Sequence, residues 1–267
     1  MPFPDSRRVI YQKNPLEQVI CQLRFPPILR IDAEAPARFQ EAIRQEFPLF
    51  EEKFEGSVDI PSEVAEQLPA EFLRLPGISG MERRSFQFRT LDEQWTLSLT
   101  RDFIALSTSN YTRWEEFQLY FRKPFEVFLA EYSPAIFTRI GLRYQDVIRK
   151  SELGLEETPW SELLQPYIAG ILAVPSVDQS HIKSTMQVVE MDLSDDYGKV
   201  TIRHGFATDK RTNEICYLID NDFFAEKIKD SNDVIERLNH FNLRARRLFR
   251  WSITDRLHEA MEPEAIS

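Results

Sequence analysis

The stretch AIFTRIGLRYQDV, residues Ala135–Val147, decides the fold. Ile136, Thr138, Ile140, Leu142 and Tyr144 alternate with Phe137, Arg139, Gly141, Arg143, Gln145 and Val147. Successive side chains of a strand point to opposite faces, so this spacing predicts one long strand. Its first side is mostly apolar and its second is polar, with two arginines. Val19–Phe25, VICQLRF, has the same layout. Setting Leu23 on Leu142 brings Cys21 onto Ile140, Arg24 onto Arg143 and Phe25 onto Tyr144. The segments that follow are also similar, so the chain reads as an internal duplication.

Outward from these strands, the first half is read as follows. Pro26 and Pro27 stop the first strand, because proline cannot donate to a ladder. A helix is expected from Pro36, with Phe39, Ala42, Ile43 and Phe47 inward and Pro48 at its end. Residues 50–80 are acidic and broken by prolines and glycines, and are expected to form a long connection anchored by Phe72, Leu73 and Leu75. Three short strands follow, carried by Phe86 and Phe88, by Trp95, Leu97 and Leu99, and by Ile104 and Leu106. Next is a helix with Thr112 and Glu115 at capping-box spacing and Phe117, Phe121, Phe125, Phe128 and Tyr132 on one face. Pro124 is expected to kink or split it.

The second half repeats the order. A helix is expected over Thr158–Ile171, then strands over His181–Leu193, Lys199–Phe206 and Glu214–Ile219. A final helix starts near Ser231 and buries Val234, Leu238, Phe241, Ala245, Leu248, Phe249, Ile253 and Leu257. Asp195-Asp196-Tyr197-Gly198 reads as a hairpin turn, and Asp220-Asn221-Asp222 as a turn or helix cap after the last strand. The expected fold is α+β, a single pseudo-symmetric domain over residues 1–267, with repeats over about 15–133 and 134–262. Each repeat is β-α-β-β-β-α. Together they would form one mainly antiparallel sheet of about eight strands with long helices on one face, helix-grip or saddle-like.

Composition narrows the function. The chain has 267 residues, 42% hydrophobic and 28% charged, which suits a globular domain with a sizeable core. Twenty Phe against eight Gly predicts an aromatic core and few phosphate-cradling loops. A net charge of −10 argues against broad electrostatic binding to nucleic acid. Cys21 and Cys216 fall in expected strands and read as buried free thiols. The N-terminus lacks the apolar core of a signal peptide, and no window has the length of a membrane span, so a cytoplasmic protein is expected.

The pattern Pro15-Leu16-x-x-Val19-x-x-x-x-Arg24-Phe25, the Arg143-Tyr144 strand and the last helix with Phe249, Trp251 and Leu257-His258-Glu259 resemble a sporadically distributed bacterial family of uncharacterised proteins of about this length. The resemblance covers nearly the whole chain. It implies a single domain and carries over no catalytic residues.

No dinucleotide fingerprint, P-loop or nucleophile elbow is present; Gly77-Ile78-Ser79-Gly80-Met81 lacks the last glycine. His181, His204, His240 and His258 show no metal-ligand spacing, and no cofactor is expected. The candidate binding surface is the polar side of the two leading strands, with Gln22 and Arg24 from one and Arg139, Arg143 and Gln145 from the other. Gln87, Arg89, Thr96, Ser98 and Arg203 would flank it. Arginine forks suit a carboxylate or phosphate, so an anionic group or acidic peptide is the expected ligand of this concave face. A second basic patch is Arg244, Arg246, Arg247 and Arg250 on the last helix, flanked by Arg237 and Arg256. The leading expectation is a non-catalytic binding protein of unknown protein or anionic partner. The alternatives are a small-molecule carrier with an aromatic cavity between helix and sheet, and a metal-dependent hydrolase using Asp220 and Asp222.

Overall fold

A computed structural model describes residues 3–55, 83–193 and 197–266. The strands are β1 (Val9–Tyr11), β2 (Leu16–Arg24), β3 (Leu49–Glu55), β4 (Arg83–Arg89), β5 (Trp95–Leu99), β6 (Phe103–Thr108), β7 (Phe137–Ile148), β8 (Met186–Asp192), β9 (Lys199–Thr208), β10 (Ile215–Ile228) and β11 (Pro263–Ala265). The helices are α1 (Leu29–Ala33), α2 (Ala37–Ile43), α3 (Trp114–Tyr132), α4 (Lys150–Leu153), α5 (Trp160–Leu163), α6 (Pro166–Ala169), α7 (Asn232–Ser252) and α8 (Asp255–Ala260). The fold is α+β and its main sheet is antiparallel, with nine strands in the order β3-β4-β5-β6-β2-β7-β10-β9-β8. From the central β2–β7 pair the sheet runs through β6, β5, β4 and β3 on one side and β10, β9 and β8 on the other, so β3 is an extra edge strand; at the centre Cys21 faces Leu142, Gln22 faces Gly141 and Leu23 faces Ile140.

Alternation builds the core. Val19, Cys21 and Leu23 of β2 and Ile140, Leu142 and Tyr144 of β7 all point inward and are buried. The aromatic stripe of α3 (Phe117, Phe121, Phe125 and Phe128) joins the same cluster, as do Val234, Leu238 and Phe241 of α7. Each fully buried side chain of this size contributes about 1.5–3 kcal/mol from the apolar area it removes from water. A second cluster lies where α5 and α6 meet β10, α7 and α8, around Trp160, Leu163, Tyr217, Phe249 and Ile253.

Several elements depart from the sequence expectations. Leu49–Glu55, LFEEKFE, is an edge strand paired with β4 rather than the start of a connection. Its alternation of Phe50, Glu52 and Phe54 with Glu51 and Lys53 was the overlooked signal. Residues 56–82, with Phe72, Leu73, Leu75 and Gly77-Ile78-Ser79-Gly80-Met81, lie outside the described residues, as do Asp195 and Asp196. In the expected first helix, Phe39, Ile43 and Phe47 are buried but Ala42 is exposed.

Pro124 does not split α3, which runs on through it. The capping box does not form: Arg113 is the N-cap without a side-chain cap, and Thr112 bonds Glu116 instead. The helix expected over residues 158–171 is two single turns, α5 and α6, followed by a 3₁₀ turn. Pro166 explains the break: it disfavours helical backbone just before it, and Gln165 and Leu164 are extended. Tyr167, which helical spacing from Trp160, Leu163 and Leu164 would turn inward, is exposed.

β10 is longer than expected. Asp220-Asn221-Asp222 sits inside it, bonded on both sides, with Asp220 facing Gln145 of β7 and Arg203 of β9. Local preference for turns yields to two flanking ladders and to arginine partners across the sheet. The residues before β2 supply β1, which pairs antiparallel with β11 near the other end of the chain. This small ribbon helps to enclose the cavity described below.

Candidate functional site

The polar side of β2 and β7 holds the arginines that the sequence singles out. Arg143 donates from Nε and Nη2 to the two oxygens of Asp220, each at 2.7 Å. Arg139 donates from Nη2 to both oxygens of Asp222 at 2.9 Å. Asp220 sits on the diagonal from Arg143, two residues from its cross-strand partner Asp222, whereas Asp222 lies four residues along β10 from Glu226, the cross-strand partner of Arg139. Gly141 makes the second contact possible: a Cβ there would lie 2.4 Å from Nη1 of Arg139, which crosses that space. Arg139 also lies over the ring of Phe224, at 4.5 Å from its centre. Arg203 stands 3.7 Å from Asp220. Arg24 donates to Gln22 at 2.8 Å and faces Arg139 in register, while Gln145 faces Asp220. The carboxylates of β10 thus occupy the guanidinium forks of Arg139 and Arg143 that a ligand would use. Asp220 is 2% exposed, and both its oxygens accept from Arg143, so this buried carboxyl has its hydrogen bonds met.

The more reactive surroundings lie on the other face. β7 carries its two-residue period past Tyr144, so the next inward residue is Asp146, not an apolar one. Asp146 is 6% exposed. Among the described residues, no hydrogen bond or ion pair reaches its carboxyl. Burial first, and then the negative charge of Asp220, push its pKa up to about 8. At pH 7 the group is mostly an uncharged acid.

Asp146 lines a cavity of about 130 Å³ between β7, α7, the Tyr111–Trp114 turn and the β1 ribbon. A cavity of this order accommodates a benzene-sized molecule. Asn242, Ala245, Arg246, Phe249 and Arg250 line it from α7, falling on one face of the helix by their three- and four-residue spacings. Asn242 Nδ2 donates to the hydroxyls of Tyr144 at 2.8 Å and Tyr111 at 3.2 Å, tying helix, sheet and turn together at one end. At the other end Tyr11 packs its ring on Phe249 and its hydroxyl lies 2.8 Å from Nδ1 of His258. Burial raises the pKa of Tyr11 and Tyr144 and pushes that of Tyr111 up to about 12, so all three hydroxyls stay protonated.

The second basic patch divides around this cavity. Arg250 lines it and pairs with Asp255. Arg8 lines it from the ribbon and donates to Glu115 at 2.6 Å. Arg246 lines it and, among the described residues, has no hydrogen bond or ion pair; burial and the neighbouring charges of Arg8 and Arg247 lower its pKa. Arg247 instead pairs with Asp5 beside a second, more open hollow of about 670 Å³ on the far side of the ribbon. Arg244 points inward and is 1% exposed. The expected outward basic stripe is therefore largely turned toward cavity and core.

The remaining candidates are structural. His204 is buried, with its pKa pushed down to about 4 by burial. Its Nδ1 lies 2.8 Å from the Tyr217 hydroxyl, which itself donates to the carbonyl of Ile168. The imidazole is thus a neutral donor to Tyr217. His240 stacks on Tyr197 at 3.7 Å between ring centres. Among the described residues no group of His, Cys, Asp and Glu is arranged to hold a metal ion, and no helix is long and apolar enough to cross a membrane. Both cysteines are buried and unbridged. Sequence reasoning passed over Asp146, although it lies within the opening stretch. The available signal was a carboxylate in inward phase after Ile140, Leu142 and Tyr144. A scan of the chain against protein-family models found no match, and a search of curated proteins found none.

Proposed function

We propose that the protein is a non-catalytic binding protein whose ligand is a small molecule held in the cavity between α7 and β7. One observation carries this reading: Asp146 is 6% exposed, lines the cavity and has no partner among the described residues. A buried polar group without a partner costs about 1–3 kcal/mol, and a ligand that bonds it recovers that cost. The aromatic walls supply contact area and the hydroxyls of Tyr111 and Tyr144 supply orientation. The polar sheet face supports a binding role less well, because Asp220 and Asp222 already engage Arg139, Arg143 and Arg203. The same ion pairs weigh against a metal-dependent hydrolase at Asp220 and Asp222, whose oxygens are taken by guanidinium groups.

Native mass spectrometry of protein purified from its own host tests the reading. The wild type is expected to carry a small non-covalent mass. Ala245→Trp, which fills the cavity from α7, is expected to fold and to lose that mass. A bare wild-type chain overturns the proposal, as does a mass retained in full by the filled variant.

A further inference from the structure

Resting on that cavity reading, we infer that the ligand is a small organic monocarboxylate, bound as its anion with the carboxylate on Arg246 and an apolar body against the aromatic walls. The lining sets the sign of the charge. Arg7, Arg8, Arg113, Arg246 and Arg250 all line the cavity, against one acidic side chain, Asp146. Burial leaves Asp146 mostly uncharged at pH 7, so it brings a hydrogen-bond donor and no repulsion. The chain as a whole has a net charge of −10, so this concentration of cations runs against its composition. Such a site draws an anion and repels a cation.

The partners of these arginines single out one of them. Glu115 takes Arg8 and Asp255 takes Arg250, and neither carboxylate lines the cavity. The side chains of Arg7, Arg113 and Arg246 make no hydrogen bond or ion pair among the described residues. Arg7 and Arg113 are exposed, so water solvates their charge, whereas Arg246 is partly buried. Burial, and then the charges of Arg8 and Arg247, disfavour its charged form. Asp5, which also acts on Arg246, is engaged by Arg247. A carboxylate on Arg246 offsets both effects, and it meets the planar fork with two parallel hydrogen bonds. One partly buried cation without a carboxylate fits a single negative charge.

The rest of the lining sets the body of the ligand. The cavity of about 130 Å³ has room for roughly one aromatic ring. Tyr11, Trp114, Tyr144 and Phe249 line it and offer apolar contact to that body. Asn242 donates to the hydroxyls of both Tyr111 and Tyr144, which holds those two rings in position.

Isothermal titration calorimetry at pH 7, on protein unfolded, freed of any carried ligand and refolded, tests the assignment with benzoate, phenylacetate and hexanoate. At least one is expected to bind. Its uncharged amide and its cationic amine are each expected to bind at least tenfold more weakly, and phenyl phosphate, mostly a dianion at this pH, more weakly than the best carboxylate. Arg246→Gln is expected to weaken the carboxylate at least tenfold while melting as a folded protein, and Arg246→Lys to retain part of the affinity. If Arg246→Gln does not fold, the comparison of acid, amide and amine decides. An amide or amine that binds as tightly as its acid overturns the inference, as does wild-type affinity in a folded Arg246→Gln. Tighter binding of phenyl phosphate overturns the single charge. If none of the acids binds while protein from the host carries a small mass that Ala245→Trp removes, the ligand class is wrong and the cavity reading stands. A bare chain from the host, together with no binding of any acid, removes both.

Discussion

Replacing Asp146 with Asn tests the central physical claim about the cavity. A carboxyl with an ordinary pKa of 3.8 in the unfolded chain and about 8 in the folded one binds its proton more tightly when folded. Below pH 3.8 both states hold the proton and the group has no effect on stability. As pH rises from 4 to 8 the unfolded chain releases the proton and gains stability, while the folded chain retains it. The fold therefore loses stability steadily over that window and no further above it. Each pH unit costs about 1.4 kcal/mol, so the loss reaches about 4 kcal/mol at pH 7. Asn is close in shape and does not titrate. Urea unfolding of ligand-free wild type and Asp146→Asn should give a stability difference that moves in favour of the variant by about 4 kcal/mol between pH 4 and pH 7. In melting temperature that is roughly 10 °C for a chain of this size. Other titrating groups cancel in the difference. A difference that stays flat from pH 4 to pH 8 would refute the claim that the carboxyl is buried and protonated.

Four further outcomes follow from other contacts. Asp220→Ala leaves Arg143 without its paired carboxylate and should cost about 3 kcal/mol in denaturant unfolding; a loss below about 0.5 kcal/mol would mean that solvent already carries that charge. Asp220→Asn should also move the Asp146 titration, followed by carboxyl NMR, to lower pH, because one of its two perturbing causes is removed. Asn221 is fully buried and, among the described residues, both its amide atoms are unpartnered, so Asn221→Leu should be neutral or stabilising by about 1–3 kcal/mol, and a clear destabilisation would reveal a partner for the amide. Phe128 is fully buried and packs on Phe25 at 4.9 Å between ring centres. Phe128→Ala should cost about 3–5 kcal/mol, and a loss under 1 kcal/mol would show that α3 collapses to fill the space.

The sequence by itself determined the parts of this protein that rest on local periodicity. The two-residue alternation in β2, β5 and β7 and the helical stripes of α3 and α7 are properties of consecutive residues, and burial follows them except at the start of β7, where Phe137, expected on the polar side, is buried and Thr138, expected on the apolar side, is exposed. Proline chemistry also acts locally, yet its outcome depended on context: Pro124 is carried within a long buried helix, whereas Pro166 ends a short one. The polar face was legible as a row of arginines, because those residues fall in phase on β2 and β7.

Only the tertiary structure decided which of those arginines have partners. Arg143 and Asp220 are far apart in the chain and meet because β10 lies beside β7, so a triplet that reads locally as a turn became the middle of a strand. The same holds for the cavity. Its walls come from β1, the turn before α3, β7 and α7, and no local pattern brings these together. Asp146 titrates near neutral pH because chain from all four encloses it, and removal from water is a property of the assembled fold rather than of neighbouring residues.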